Sequence, residues 1–552
     1  MPKKNADNPR FPRREFLKTA AAAAAIVTMS SVELPAQASA PATVPKDFEL
    51  NEITLDALQR GLASGKYTAQ QLATDYLARI EAVDKSGPRV NAVIEINPEA
   101  LAIADQLDRE RRNKKSRGPL HGIPVLIKDN IGTSDRMQTT AGSLALAGSH
   151  PPQDAFLVQR LRAAGAVILG KTNLSEWANF RGDHSTSGWS ARGGLTRNPY
   201  VLDRNPSGSS SGSAVAVSSN LCAVAVGSET DGSVVSPSSL NGIVGIKPTV
   251  GLISRSGIIP ISQTQDTAGP MARCVADAAM LLSALAGPDP DDPATQAAQP
   301  HIHDDYTRFL DAIGLRGARI GVVRKLAGFN VQVDRLFAAA LEAIKAAGAE
   351  VVDPVEMASV GKLDNPETQV LLYEFKDGLN RYLRSLGPQA PVHSLAEIVA
   401  FNQKNAAREL QYFGQELMEK AERKESLASA EYLKSLQDCR RLSRQDGIDA
   451  ALEKSKLDAL VAPTDSPAWP TDLVLGDHFL SGTSTLAAVA GYPHITVPMG
   501  FVAGLPVGFS FFGKAWSEPQ LIKLAYAYEQ ATVMRKPPQF HPTVEPAKAR
   551  GE

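Results

Sequence analysis

The chain has 552 residues, 43% of them apolar and 21% charged, the balance of a soluble globular protein with a core large enough to bury a deep site. Lys plus Arg number 58 and Asp plus Glu 59, so no net charge draws the chain to nucleic acid or to an acidic membrane. Three scattered cysteines, Cys222, Cys274 and Cys439, exclude a disulfide framework and a cysteine zinc site, and they read as buried reduced thiols.

The N-terminus has the three parts of an export signal. Arg13-Arg14 precedes Phe16-Leu17-Lys18, an alanine-dominated apolar stretch covers Thr19 to Met29, and Ala36-Gln37-Ala38 offers a small-x-small cleavage site. The paired arginines point to the twin-arginine route, with residues 1–38 removed and a mature chain over 39–552. That places the protein in the periplasm or outside the cell. The apolar stretch is too short for a lasting membrane anchor, and no later run of about 18 apolar residues suggests a span.

The mature chain then alternates. Thr68-Ala69-Gln70-Gln71 is a capping box, and Leu72, Tyr76, Leu77 and Ile80 follow at helical spacing. Gly122 to Lys128 reads as a turn and a short buried strand ending on a lysine. Residues 156–164 predict a helix and 166–169 a strand. Residues 179–213, rich in Gly, Ser, Asn and Arg, predict a long loop, and long loops inside compact domains tend to be functional. A short helix over 214–219 and a strand over 221–226 come next. Strands at 318–323 and 350–352 flank a helix over 333–347. Residues 366–456 read as mostly helical, 457–461 as a strand, 495–498 and 507–511 as a strand pair, and 520–532 as a closing helix. Alternation of this kind predicts an α/β fold with a central sheet covered by helices on both faces. No repeat or linker divides it, so a single large domain is expected.

Three motifs compete for the chemistry. Gly165 to Thr172 matches the phosphate-loop pattern G-x-x-x-x-G-K-[ST]. Such a loop needs a strand before it and free N–H groups between its glycines. Here a helix precedes Gly165, and the intervening Ala-Val-Ile-Leu is strand-forming. Gly208-Ser209-Ser210-Ser211-Gly212 matches the nucleophile elbow G-x-S-x-G, which would make Ser210 the nucleophile. An elbow needs a strand leading straight into it, and Asp203 to Ser207 reads as a turn. A plain Ser/Gly linker does not explain why this loop runs into an apolar helix and strand.

The third reading joins distant residues. Pro206-Ser207-Gly208-Ser209-Ser210-Ser211-Gly212-Ser213-Ala214 is followed by Gly227-Ser228-Glu229-Thr230-Asp231-Gly232-Ser233-Val234. Around them stand His121-Gly122-Ile123-Pro124 through Lys128-Asp129-Asn130, Asn241-Gly242 through Thr249, Asp266-Thr267-Ala268-Gly269-Pro270, Ala490-Gly491-Tyr492-Pro493 and Gly504 to Gly508. Together these resemble the amidase signature family over roughly residues 50–535, and the Ser-rich and Glu-Thr-Asp-Gly-Ser wording is similar to its peptide amidase branch. The resemblance implies a mixed sheet and a serine amidohydrolase of linear amides, without cofactor or metal. It implies Ser233 as nucleophile, Lys128 as base and Ser209 as the shuttle between them, on a cis Gly208–Ser209 bond. Backbone at Thr230, Asp231, Gly232 and Ser233 would form the oxyanion hole. The implied partner is a small-molecule or peptide amide, released as acid plus ammonia; monomer and homodimer both stay open.

These residue types suit that chemistry. A serine hydroxyl is a weak nucleophile until a base takes its proton, and no Asp-His pair stands near these serines in a recognisable pattern. A lysine serves only when neutral. Desolvation lowers its pKa, and moving it from about 10.4 to about 8 costs roughly 3 kcal/mol, which the fold must supply. Glycine at 232 lets successive N–H groups converge on one oxygen. His121 and His184 read as structural. The alternative class is a non-catalytic binding or assembly protein on the same fold. The intact Lys128, Ser209 and Ser233 speak against it, and the export signal speaks against a cytoplasmic transamidation subunit.

Overall fold

Short runs of mainly small, β-branched and other apolar residues supply the strands. In chain order they are β1 (Val93–Ile96), β2 (Pro124–Lys128), β3 (Val167–Thr172), β4 (Trp189–Ser190), β5 (Gly194–Leu195), β6 (Val224–Glu229), β7 (Val244–Lys247), β8 (Thr267–Ala272), β9 (Arg319–Val322), β10 (Glu350–Val352), β11 (Ala459–Pro463), β12 (His494–Val502) and β13 (Leu505–Phe512). The computed structural model describes residues 48–544, all within one compact unit. The export-signal reading of residues 1–38 lies outside the described residues.

Eleven strands form one sheet in the order β1-β3-β2-β6-β8-β7-β12-β13-β11-β9-β10. The sheet is mixed. β3, β2 and β6 run parallel, as do β11, β9 and β10, and antiparallel pairs through β8, β7, β12 and β13 join the two blocks. Parallel neighbours need crossovers, and helices lie in them: Phe156–Ala163 between β2 and β3, Ser211–Ser218 between β3 and β6, and Val331–Ala346 between β9 and β10. Every residue of β2, β3, β6, β7, β8, β11 and β13 is buried, the mark of strands covered on both faces. The cover thins at the edges, where β1 and β10 carry half-buried and exposed residues. This is the single α/β domain that the alternation of elements predicts.

The phosphate-loop match falls inside this sheet. Residues 167–172 are β3 itself, and a Cβ at Gly170 would stand 2.2 Å from the Glu95 carbonyl oxygen of β1. The glycine therefore serves strand packing. Lys171 is buried and donates to Ile131 O at 2.7 Å and Thr139 Oγ1 at 2.8 Å, with no phosphate needed to satisfy it.

The polar segment 179–213 is a loop up to Ser210 and contains the short β4–β5 hairpin; the helix expected from 214 begins at Ser211. It is tied down along its length. Ser211 Oγ donates to Ser207 O at 2.6 Å, Ser207 and Ser236 hydroxyls meet at 2.7 Å, and Ser175 N donates to Ser209 O at 3.1 Å. A Cβ at Gly208 would stand 2.2 Å from Ser175 Oγ, so only glycine fits where the loop crosses that segment. Helices within residues 364–422 pack against this loop, with Phe375 edge-on to Phe180 and Arg181 reaching the carbonyls of Glu409 and Phe413, while Tyr432, Ile448 and Leu452 farther on pack with Leu460, Ala462 and Phe512 of the sheet.

Candidate active site

Lys128 is the last residue of β2 and is fully buried. Its neighbour β6 runs parallel, with Ile127 paired to Val226, so both strands end at one place with Ser228 beside the lysine. Lys128 Nζ donates to Ser209 Oγ at 2.8 Å, to Ser228 Oγ at 3.0 Å and to Ser228 O at 3.1 Å. Asn130 Nδ2 donates to Ser228 Oγ at 2.9 Å. Burial pushes the Lys128 amine down to about 7, against the opposing pull of the Asp266 and Glu229 carboxylates. Desolvation of a charge is the dominant cause, and it leaves a large neutral fraction at neutral pH.

Ser209 stands where the loop enters the helix Ser211–Ser218, and the Gly208–Ser209 peptide bond is cis, as the family resemblance implies. Ser210 N donates to Ser233 O at 3.2 Å, which sets the two segments side by side. The Ser210 hydroxyl is occupied. It donates to Ser228 O at 3.0 Å and accepts from Ser228 N at 3.1 Å, and it is fully buried. A side chain so pinned to strand backbone is unavailable as the nucleophile of an elbow. Ser213 is likewise spent, on Val226 O and Thr172.

Ser233 closes the turn that leaves β6. Gly232 takes a φ of 79°, in the left-handed region that favours glycine. The Glu229 carboxylate accepts from Val234 N at 2.7 Å and Val235 N at 3.0 Å, at the start of the helix Val235–Leu240. Thr230 Oγ1 donates to Asp266 Oδ1 at 2.6 Å, and Thr485 Oγ1 donates to Asp231 Oδ2 at 2.7 Å. These contacts fasten the turn from outside. Among the described residues, the N–H groups of Asp231, Gly232 and Ser233 donate to no protein acceptor, and the Ser233 hydroxyl makes no hydrogen bond. Asp266 is itself held by Ile261 N and Ser262 N, and burial raises its carboxyl to about 6.

Two cavities meet the turn. One of about 670 Å³ is lined by Ser209, Ser228, Thr230 and Asn130, with the Ile258–Ile261 segment and Tyr382 among its other walls. The other, of about 310 Å³, is lined by Gly208, Asp231 and Gly232 together with Trp469 and Phe479. Among the described residues no helix is long and apolar enough to cross a membrane, and no group of three or more His, Cys, Asp or Glu is placed to hold a metal ion. His121 is a structural residue: its ring meets Leu107 O at 2.9 Å and accepts from Arg117 N at 3.2 Å. His184 is exposed on the long loop.

The structure thus brings together Lys128, Ser209 and the Thr230–Ser233 turn. It adds Ser228 and Asn130, whose contacts hold Lys128 in place, and Glu229, which fastens the turn. Sequence reasoning does not single out these three. Ser228 looks like any other serine of a Ser-rich signature, and Glu229 shows its purpose only through its reach forward to two backbone amides.

Comparison with known proteins gives the family. The Amidase family model matches residues 71–522. A probable amidase of Arabidopsis thaliana is 45% identical over 502 residues, 89% of this chain and 92% of that one. A putative amidase of Schizosaccharomyces pombe is 38% identical over 526 residues, 90% of this chain and 88% of that one. The X-ray structure of native peptide amidase from Stenotrophomonas maltophilia is 55% identical with a TM-score of 0.85, covering 90% of this chain and all of that one. The chain belongs to the amidase signature family and is an amidohydrolase.

Proposed function

We propose that the protein hydrolyses the C-terminal carboxamide of peptides to the free acid and ammonia, through an acyl-enzyme on Ser233. The observation that carries the reading is the fully buried Lys128, its amine 2.8 Å from Ser209 Oγ. A neutral amine there accepts the Ser209 proton, while Ser209 accepts that of Ser233. The Ser233 oxygen then bonds to the amide carbon. The oxyanion is received by the N–H groups of the Thr230–Ser233 turn, each such donor contributing about 2.7–4 kcal/mol. Lys128 returns its proton through Ser209 to the nitrogen, the C–N bond breaks and ammonia leaves. Water repeats the sequence on the ester and frees the acid.

Two findings favour a peptide over a small amide. The cavity of about 670 Å³ is in the size range that engulfs ligands well beyond a simple aliphatic amide. The similar protein from Stenotrophomonas maltophilia is named a peptide amidase. The test is ammonia release from peptide amides compared with small aromatic and aliphatic amides. A kcat/KM higher for the peptide amides is expected. Equal or better turnover of acetamide-sized substrates would overturn the peptide reading and leave the amidase intact.

The export reading is proposed alongside it, on the strength of Arg13-Arg14 and the small-x-small site at Ala36-Gln37-Ala38. Arg13→Lys with Arg14→Lys is expected to keep the unprocessed protein in the cytoplasm, followed by cell fractionation and immunoblotting. Processed double variant outside the cytoplasm would rule out the twin-arginine route.

A further inference from the structure

The surroundings of Lys128 suit its charged form as well as its neutral one. An ammonium has three N–H donors and no acceptor. Three acceptors stand around Nζ: Ser209 Oγ at 2.8 Å, Ser228 Oγ at 3.0 Å and Ser228 O at 3.1 Å. Two of the three belong to one residue, Ser228.

The nearby carboxylates are turned elsewhere. Glu229, at the end of β6, accepts from Val234 N and Val235 N. Asp266, just before β8, accepts from Thr230, Ile261 and Ser262. Asp129, next in the chain, is turned to Thr140 and Arg192. On the other side of β2, Lys171 of β3 is spent on Ile131 and Thr139. The carboxylates of Asp266 and Glu229 act on Lys128 only through space. Direct solvation of the charge by protein is left to two hydroxyls and one carbonyl.

Ser228 is itself held on three sides. Its N–H donates to Ser210 Oγ, its carbonyl accepts from Ser210 Oγ, and its hydroxyl accepts from Asn130 Nδ2. The hydroxyl therefore stays at the amine rather than swinging into the cavity that Ser228 also lines.

We propose that Ser228, fixed by Asn130 and Ser210, is a positioning residue of the relay: its hydroxyl and carbonyl receive two of the three N–H bonds of the Lys128 ammonium formed when the base takes up its proton, and so set the pH at which the base is free. The proposal rests on Lys128 being the base. Ser228 forms no bond to substrate in this role. It acts through Lys128, stabilising the protonated state without a neighbouring ion pair that would keep the lysine charged at all times.

The test is kcat/KM against pH on one peptide amide for the wild type, Ser228→Ala, Ser228→Cys and Ser228→Thr, with Lys128→Ala as reference. Hydrogen bonds to the charged form favour that form, so losing one of three moves the rising limb of Ser228→Ala to lower pH by about one unit. The plateau falls several-fold, because a less basic amine draws the proton less strongly. Ser228→Cys has nearly the same size but a weak acceptor; it moves the limb the same way, and it carries the test if the alanine variant does not fold. Ser228→Thr keeps the hydroxyl and restores the wild-type limb. A residue with only a structural role would change the amount of active enzyme and leave the limb where it is. A limb unmoved in both Ser228→Ala and Ser228→Cys, with the wild-type limb absent from Lys128→Ala, overturns the proposal alone. A limb that persists unchanged in Lys128→Ala overturns the base assignment beneath it.

Discussion

Ser233→Ala is expected to abolish acyl-enzyme formation and to lower amide hydrolysis by about 10⁵–10⁶-fold, the scale seen when a serine nucleophile is removed from a working relay. The turn would survive the change. Its shape comes from Gly232, from the Glu229 carboxylate on Val234 N and Val235 N, and from the Thr230–Asp266 and Asp231–Thr485 contacts, and none of these uses the Ser233 hydroxyl. A fluorophosphonate that adds its mass to the wild type should leave Ser233→Ala unlabelled. Ser210→Ala is the contrasting variant. It removes a buried hydroxyl bonded on both sides to Ser228, at a cost to stability of about 1–3 kcal/mol, and it should still label at Ser233. If Ser210→Ala were as inert toward the reagent as Ser233→Ala while remaining folded, the nucleophile would be misassigned. Ser209→Ala should lie between the two, since water replaces a proton shuttle more readily than a nucleophile.

The second large effect is expected at Lys128. Activity should rise with pH through about 7, where the buried amine becomes neutral, and level off above it. Lys128→Ala should remove this rise together with about 10²–10⁴ of the rate, the usual share of a general base. Lys128→Arg should not restore it, because a guanidinium stays charged and cannot accept the proton. The measurement is kcat/KM against pH on one peptide amide, and a Lys128→Ala enzyme of near-normal rate with an unchanged profile would end the mechanism. The depression has an energetic side. From an ordinary lysine near 10.5 to about 7, burial costs on the order of 5 kcal/mol. The folded state binds fewer protons here than the unfolded chain. The cost is therefore complete below about pH 7 and disappears as pH rises to the ordinary lysine range.

Much of this architecture is legible in the sequence because it is local. The apolar run before Lys128 is β2, Glu350-Val351-Val352 is β10, and the amphipathic stretch from Phe156 is the helix that returns the chain to β3. Sites written as continuous motifs are legible too: the Ser-rich loop and the Glu-Thr-Asp-Gly-Ser turn mark where the relay lies. What the sequence hides depends on pairing between distant strands. β1, β7 and β8 do not read as strands; Val244-Gly-Ile-Lys and Thr267-Ala-Gly-Pro-Met-Ala contain glycine or proline, which local propensity disfavours in strands. Both lie in the antiparallel middle of the sheet, where burial on two faces overrides propensity. Predicted ends also drift by a few residues, as in β3, which continues through Gly170, Lys171 and Thr172 because those polar groups find partners inside the protein. Ser228 is invisible for the same reason. Its importance comes from the lysine of another strand, 100 positions earlier.

The parallel alignment of β2 with β6 carries a consequence for how the protein fails. Val125, Leu126 and Ile127 stand opposite Val224, Ala225 and Val226, and that alignment alone puts the Lys128 amine against Ser228. Side chains alternate between sheet faces, so a slip of one residue would send the amine to the opposite layer while leaving an equally apolar pair of strands. A compact, collapsed chain with the wrong alignment would thus have native-like secondary structure and no working amine. Turnover is consequently a stricter gauge of correct folding than circular dichroism. Specific activity counts molecules whose strands are paired in the right frame, and a preparation can look folded by spectroscopy while only a fraction of it can open an amide.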